Sequence, residues 1–133
     1  MNNEKDNVYD LVEDFYAHDE GWNTLLRQEY AEGFLRMEAW KGKKNSDLYR
    51  SWDNLTMLCL YLGSAETFLG DMNADDFIDC IAWCGRNISE FTPDYKNTQD
   101  FLETCDRLFK YLKGKNAISN DTVPGTAAEI LLQ

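Results

Sequence analysis

The chain has 133 residues, the size of one ordinary domain, and its 44% hydrophobic and 14% aromatic content is ample for a core. Its net charge of −11, from 24 acidic and 13 basic residues, disfavours partners held by counterion displacement, such as phosphate backbones and anionic membranes. No stretch approaches the ~20 consecutive apolar residues of a membrane span.

The acidic excess is spread along the chain. Residues 1–45 hold ten acids against six bases, residues 46–119 twelve against seven, and the tail two against none. No basic domain hides inside the average. The opening residues, "MNNEKDNVYD", are polar and acidic, unlike the basic and apolar start of a signal peptide. The expectation is a soluble, cytoplasmic protein.

Helical periodicity runs through most of the chain. Val8, Leu11, Val12, Phe15 and Tyr16 follow the spacing of one buried stripe and predict a helix near 4–18. A second is expected over 22–40, from Trp22 through Leu25, Leu26, Tyr30, Phe34 and Met37 to Trp40, weakened but not broken by Gly33. The glycine and lysines of "KGKKN" at 41–45 suit its C-terminus. Ser46 suits the N-cap of a third helix striped by Leu48, Trp52, Leu55, Cys59 and Leu62, with "GS" at 63–64 closing it.

A fourth helix is expected over 74–86, burying Phe77, Ile78, Ile81 and Cys84. A fifth starts at "TPDY", with Thr92 as N-cap and Pro93 in the first helical position. The fifth has the clearest stripe: Phe101, Leu102, Cys105, Leu108, Phe109, Leu112. Residues 114–125 are polar and turn-prone. "TAAEILLQ" then adds an apolar turn or two that either docks on the body, reaches a partner, or continues into a segment beyond Gln133. No strand-like alternation and no internal repeat is found.

The stretch "GDMNADDFIDC" at 70–80 has the look of a calcium loop, with Asp71, Asn73, Asp75 and Asp79 at positions one, three, five and nine. An EF-hand also needs glycine at position six and a bidentate glutamate at twelve. Those positions are Asp76 and Ala82. The alternative explains every residue: Asn73 caps a helix and Asp75 and Asp76 occupy its first turn, where negative charge is favoured. Cys59, Cys80, Cys84 and Cys105 all fall on apolar stripes, as small buried thiols do, and include no C-x-x-C. His18 is the sole histidine. No phosphate-cradling glycine loop, G-x-S-x-G or H-E-x-x-H occurs. The expectation is a protein without catalytic residues, metal or cofactor.

Three pieces between Ser46 and Ser119 carry a resemblance: the helix ending in "LCLYLG", the link "FLGDMNADDFIDCIAW", and the final "TPDYKNTQDFLETCDRLFKYLKGKNAIS". Together they resemble the SAM-like core-binding domain that precedes the catalytic domain of tyrosine recombinases, or phage integrases. Similar segments also occur in bacterial proteins without an assigned activity. The resemblance rests on core and cap positions, so it implies fold more than activity. It would imply a DNA clamp with basic helix faces, but Asp100 and Asp106 stand where that family commonly places Arg or Lys. The family's catalytic domain has no counterpart here.

The expected fold is therefore all-α, a five- to six-helix bundle in one domain over 1–133. Its parts are two N-terminal helices (1–45), a SAM-like bundle (46–119) and a tail (120–133). The leading functional expectation is a non-enzymatic protein–protein interaction module, self-association included. Trp22, Trp40, Trp52, Ile130, Leu131 and Leu132 are its candidate contact residues, since large aromatics commonly anchor interfaces. The alternative is a DNA-binding or mobile-element accessory domain using Arg107, Lys110, Lys113 and Lys115, joined by Lys41, Lys43 and Lys44. An acidic DNA mimic is a third, less attractive reading, because lysines interrupt the acids.

Overall fold

The structure is a computed structural model that describes residues 7–133. Its described residues form seven helices and no strand: α1 (Val8–His18), α2 (Trp22–Leu25), α3 (Gln28–Trp40), α4 (Asn45–Ala65), α5 (Ala74–Asn87), α6 (Tyr95–Gly114) and α7 (Val123–Leu131). A 3₁₀ turn, Leu69–Asp71, links α4 to α5. The all-α bundle read from periodicity is thus present. None of these helices is long and apolar enough to cross a membrane.

The first helix starts with Asn7, whose side chain accepts the Asp10 N–H at 3.1 Å; the part of the expected helix at 4–6 lies outside the described residues. The single helix expected over 22–40 is two helices. Leu26 and Arg27 are extended between them, and Asn23 Oδ1 holds the Gln28 N–H at 2.8 Å as α3 begins. The break is stabilised from inside. Leu26 is buried, and its carbonyl accepts the hydroxyl of buried Tyr16. A core side chain therefore satisfies the backbone group that the broken helix exposes.

The turn has a consequence for α3. Its buried face is Ala31, Phe34, Leu35 and Glu38, rotated from the Tyr30–Phe34–Met37–Trp40 stripe expected of a continuous helix. Trp40 is left outside, 87% exposed.

The central element is α4, 21 residues and so roughly 31 Å long. It touches α1, α2, α3, α5 and α6, which explains why its buried positions extend well beyond one stripe. Its N-cap is Lys44 rather than Ser46, with the Lys44 N–H directed at the Asp47 carboxylate. Its end is set by Glu66 in the left-handed region, φ 55°.

At α5 the cap is as expected. Asn73 Oδ1 accepts the Asp76 N–H and Asp76 Oδ2 accepts the Asn73 N–H, both at 2.9 Å. This reciprocal capping box engages two of the residues that gave the stretch its calcium-loop look. The start of α6 differs by two residues: Asp94, not Thr92, is the N-cap, and its carboxylate accepts the Asn97 N–H at 2.8 Å. Pro93 is displaced from the helix because it lies against α5. A Cβ on Gly85 would stand 2.9 Å from Pro93 Cγ, so glycine is what admits the ring.

The C-terminal residues are not a loose tail. They form α7, with Thr122 at its N-cap position and Pro124 in its first turn, and bury Val123, Pro124 and Ala127 against α5 and α6.

Candidate interaction surfaces

The polar interior lies between α3, α4 and α6. Glu38 is 1% exposed, and Arg107 grips it with two parallel bonds, Nε to Oε2 at 3.0 Å and NH2 to Oε1 at 3.1 Å. Ser51 Oγ donates to Glu38 Oε1 at 3.2 Å. One layer along, Asn54 Nδ2 donates to Asp100 Oδ2 at 3.1 Å and to Thr104 Oγ1 at 2.9 Å. No buried side-chain N or O among the described residues lacks a partner. These groups fix how α6 lies on α3 and α4; they are spent on structure.

Beside this layer the surface opens into a groove of about 520 Å³ between α4, α6 and the α5–α6 link. Met57, Leu60, Ile88 and Phe91 make its apolar floor. The Gly85–Pro93 contact presses the link onto α5, and Phe91 stacks edge-on against Phe101 at 6.5 Å. Asp53, Glu90 and Asp100 bring carboxylates to the groove, opposed by Arg50 alone. Partial burial raises the Asp53 carboxyl above its usual range, as expected for an acid beside apolar surface.

A second cleft of about 490 Å³ runs between α6 and α7, with Tyr95 and Leu132 on its walls and the paired Arg107 within it. Ile130 is 52% exposed nearby on α7, while Leu131 and Leu132 are half-buried.

The candidate aromatics therefore divide. Trp52 is core, 5% exposed. Trp22 is half-buried and stacks on Phe15 at 4.6 Å, and Phe15 meets Trp52 edge-on at 5.3 Å. Both pin α1 and α2 to α4. Trp40 alone stands in solvent. It is followed by Lys41, Lys43 and Lys44, all exposed and without an ion pair among the described residues. Gly42, φ +100°, makes the turn that carries them.

The four cations of the candidate basic patch do not share that freedom. Arg107 points inward to Glu38. Lys110 holds Asp106 at 2.7 and 2.8 Å, Lys113 lies 3.8 Å from Asp121, and Lys115 sits over the Tyr111 ring.

The cysteines are all free thiols in the core. Burial pushes the Cys59 thiol up to about 12 and Cys105 well above its usual range. Within the α5 pair, their mutual side-chain interaction raises the Cys80 thiol and lowers that of Cys84. Among the described residues, no group of three or more His, Cys, Asp or Glu is arranged to hold a metal ion.

The groove residues were not singled out by periodicity. Asn54, Asp53 and Asp100 are ordinary helix-surface types, and spacing gives no sign of the Asn54–Asp100 bond across 46 positions. Glu38 did have a signal, because it falls in register with Phe34 and Leu35 on an apolar face. No protein family, curated protein or solved structure matches the chain, so the recombinase-domain resemblance gains no support from any relative.

Proposed function

We propose that the chain is a non-enzymatic helical module that binds a protein segment in the groove between α4 and α6. The observation that carries this reading is the pairing of an apolar floor (Met57, Leu60, Ile88, Phe91) with a carboxylate rim in a trough of about 520 Å³. Such a surface suits a segment that is both aromatic and basic, since apolar burial supplies affinity and the charges supply orientation. Four buried free thiols support a reducing compartment such as the cytoplasm.

Two features favour protein over nucleic acid. Each member of the Arg107–Lys115 group already has an internal partner, and removing it would cost part of any gain from a phosphate contact. The chain's overall charge of −11 also opposes approach to a polyanion.

Fluorescence anisotropy tests the reading with three labelled probes: a Lys- and Trp-rich peptide, the same peptide with Glu for Lys, and a DNA duplex. Saturable binding of the basic peptide is expected, lost on Asp53→Lys with Glu90→Lys. Basic-peptide binding that ignores those substitutions, or none at all, would refute the groove as the site. Duplex binding that collapses steeply with salt would instead favour the recombinase-type role.

A further inference from the structure

Building on the groove reading, the partner can be specified from the same chain. We infer that the groove receives the Trp40–Lys44 turn of a second copy, giving a weak, reciprocal dimer.

The turn and the groove are complementary in both shape and charge. Trp40 is 87% exposed at the end of α3, an unusual position for a residue whose burial removes so much apolar surface from water. Three cations, Lys41, Lys43 and Lys44, stand beside it without an ion pair among the described residues, in a chain that is otherwise strongly acidic. The groove offers the reverse: an apolar floor, with Asp53, Glu90 and Asp100 against the single Arg50. Its volume of about 520 Å³ exceeds that of an indole, leaving room for lysine stems along the walls.

Both halves lie along α4. The turn precedes its first residue, Asn45, and the groove involves residues 50–60 of the same helix. A turn and a groove on one helix can be exchanged by two copies about a two-fold axis, each contact closing the other. The size of the contact sets its strength. A docked tryptophan covers roughly 200 Å² of its own surface and a similar area of groove, so two contacts bury roughly 800 Å². That is below the ~1,200 Å² of stable interfaces, so the dimer forms only as concentration rises. Mutual repulsion between two chains of net charge −11 acts in the same direction, and moderate salt screens it beyond a Debye length of about 8 Å.

Sedimentation velocity of the full chain across a concentration series reads the equilibrium. Trp40→Ala should weaken association about tenfold or more, as loss of a central aromatic anchor does. Its exposure means the fold is untouched, which a thermal melt verifies. The decisive arm is a charge exchange. A Lys41→Glu/Lys43→Glu chain and an Asp53→Lys/Glu90→Lys chain should each fail to self-associate, yet form a heterodimer when mixed, because the reversed turn meets the reversed groove. Association unaffected by Trp40→Ala, or a mixture no better than its components, would overturn the inference. So would a wild-type chain that stays monomeric throughout. In that last case, retained binding of the basic peptide would leave the groove reading standing, and its absence would remove both.

Discussion

Arg107→Ala offers the sharpest test of the packing, because it leaves Glu38 without its cation in a site that is 1% exposed. Breaking a fully buried ion pair from one side costs about 3–5 kcal/mol, most of it the desolvation of the abandoned charge. Arg107 is 32% exposed, so water can reach part of the vacated space, and the expected loss is about 2–3 kcal/mol. For a chain of this length that corresponds to a fall in Tm of about 10 °C. Arg107→Lys should lie between, since an ammonium cannot reproduce the two-pronged grip on both carboxylate oxygens. A variant that replaces the whole polar group, Glu38→Met with Ser51→Ala and Arg107→Met, should recover most of the loss, because no charge or hydroxyl is then stranded. Urea and thermal unfolding followed by circular dichroism measure all three. An Arg107→Ala chain within about 0.5 kcal/mol of wild type, or a triple variant less stable than Arg107→Ala, would refute the assignment of Glu38 as a buried, paired carboxylate.

Three further outcomes follow from local geometry. A Cβ at Gly33 would meet the Tyr111 hydroxyl at 2.0 Å and its Cζ at 3.2 Å; Gly33→Ala should therefore destabilise the wild type by about 1–2 kcal/mol. In a Tyr111→Phe background the same change should cost less or stabilise, as alanine's helix preference of up to about 1 kcal/mol emerges; equal effects in the two backgrounds would dismiss the clash. Glu66 ends α4 at φ 55°, so Glu66→Gly should raise stability by about 1 kcal/mol in urea titrations, and a loss would show that its side chain matters more than its backbone. The four core thiols should react with an aromatic disulfide reagent only as the chain unfolds. Burial holds Cys59 at about 12, and Cys84, whose pKa is lowered by Cys80, is still 1% exposed; a rapid phase in the native protein would contradict that burial.

Much of the fold was legible because apolar spacing reports helices directly. The stripe from Phe101 to Leu112 is buried as read, Asn73 caps α5, and the cysteines fall inside. The errors share one cause, tertiary contacts that outweigh local preference. Thr92 and Pro93 make a good helix start in isolation, but the Pro93 ring fits against Gly85 and so the cap passes to Asp94. Residues 22–40 have a helical pattern throughout, yet burying Leu26 and satisfying its carbonyl from Tyr16 divides them.

That division also separates the legible part of the candidate site from the hidden part. Because α3 starts afresh after the break, its apolar face passes through Glu38 and turns Trp40 out to solvent. A continuous helix would have put Trp40 in the stripe and the acid outside. Trp40 is therefore exposed for a reason that spacing alone did not contain. The groove needed still more, because residues 50–60, 88–91 and 97–100 meet only after α6 docks on α4 and the link folds over α5. Its acids look like surface acids anywhere in this chain until that docking sets three of them beside the apolar floor of Met57, Leu60, Ile88 and Phe91. Complementarity to a lysine-flanked tryptophan is thus a property of the assembled helices, and the charge exchange between turn and groove probes it without disturbing the core that creates it.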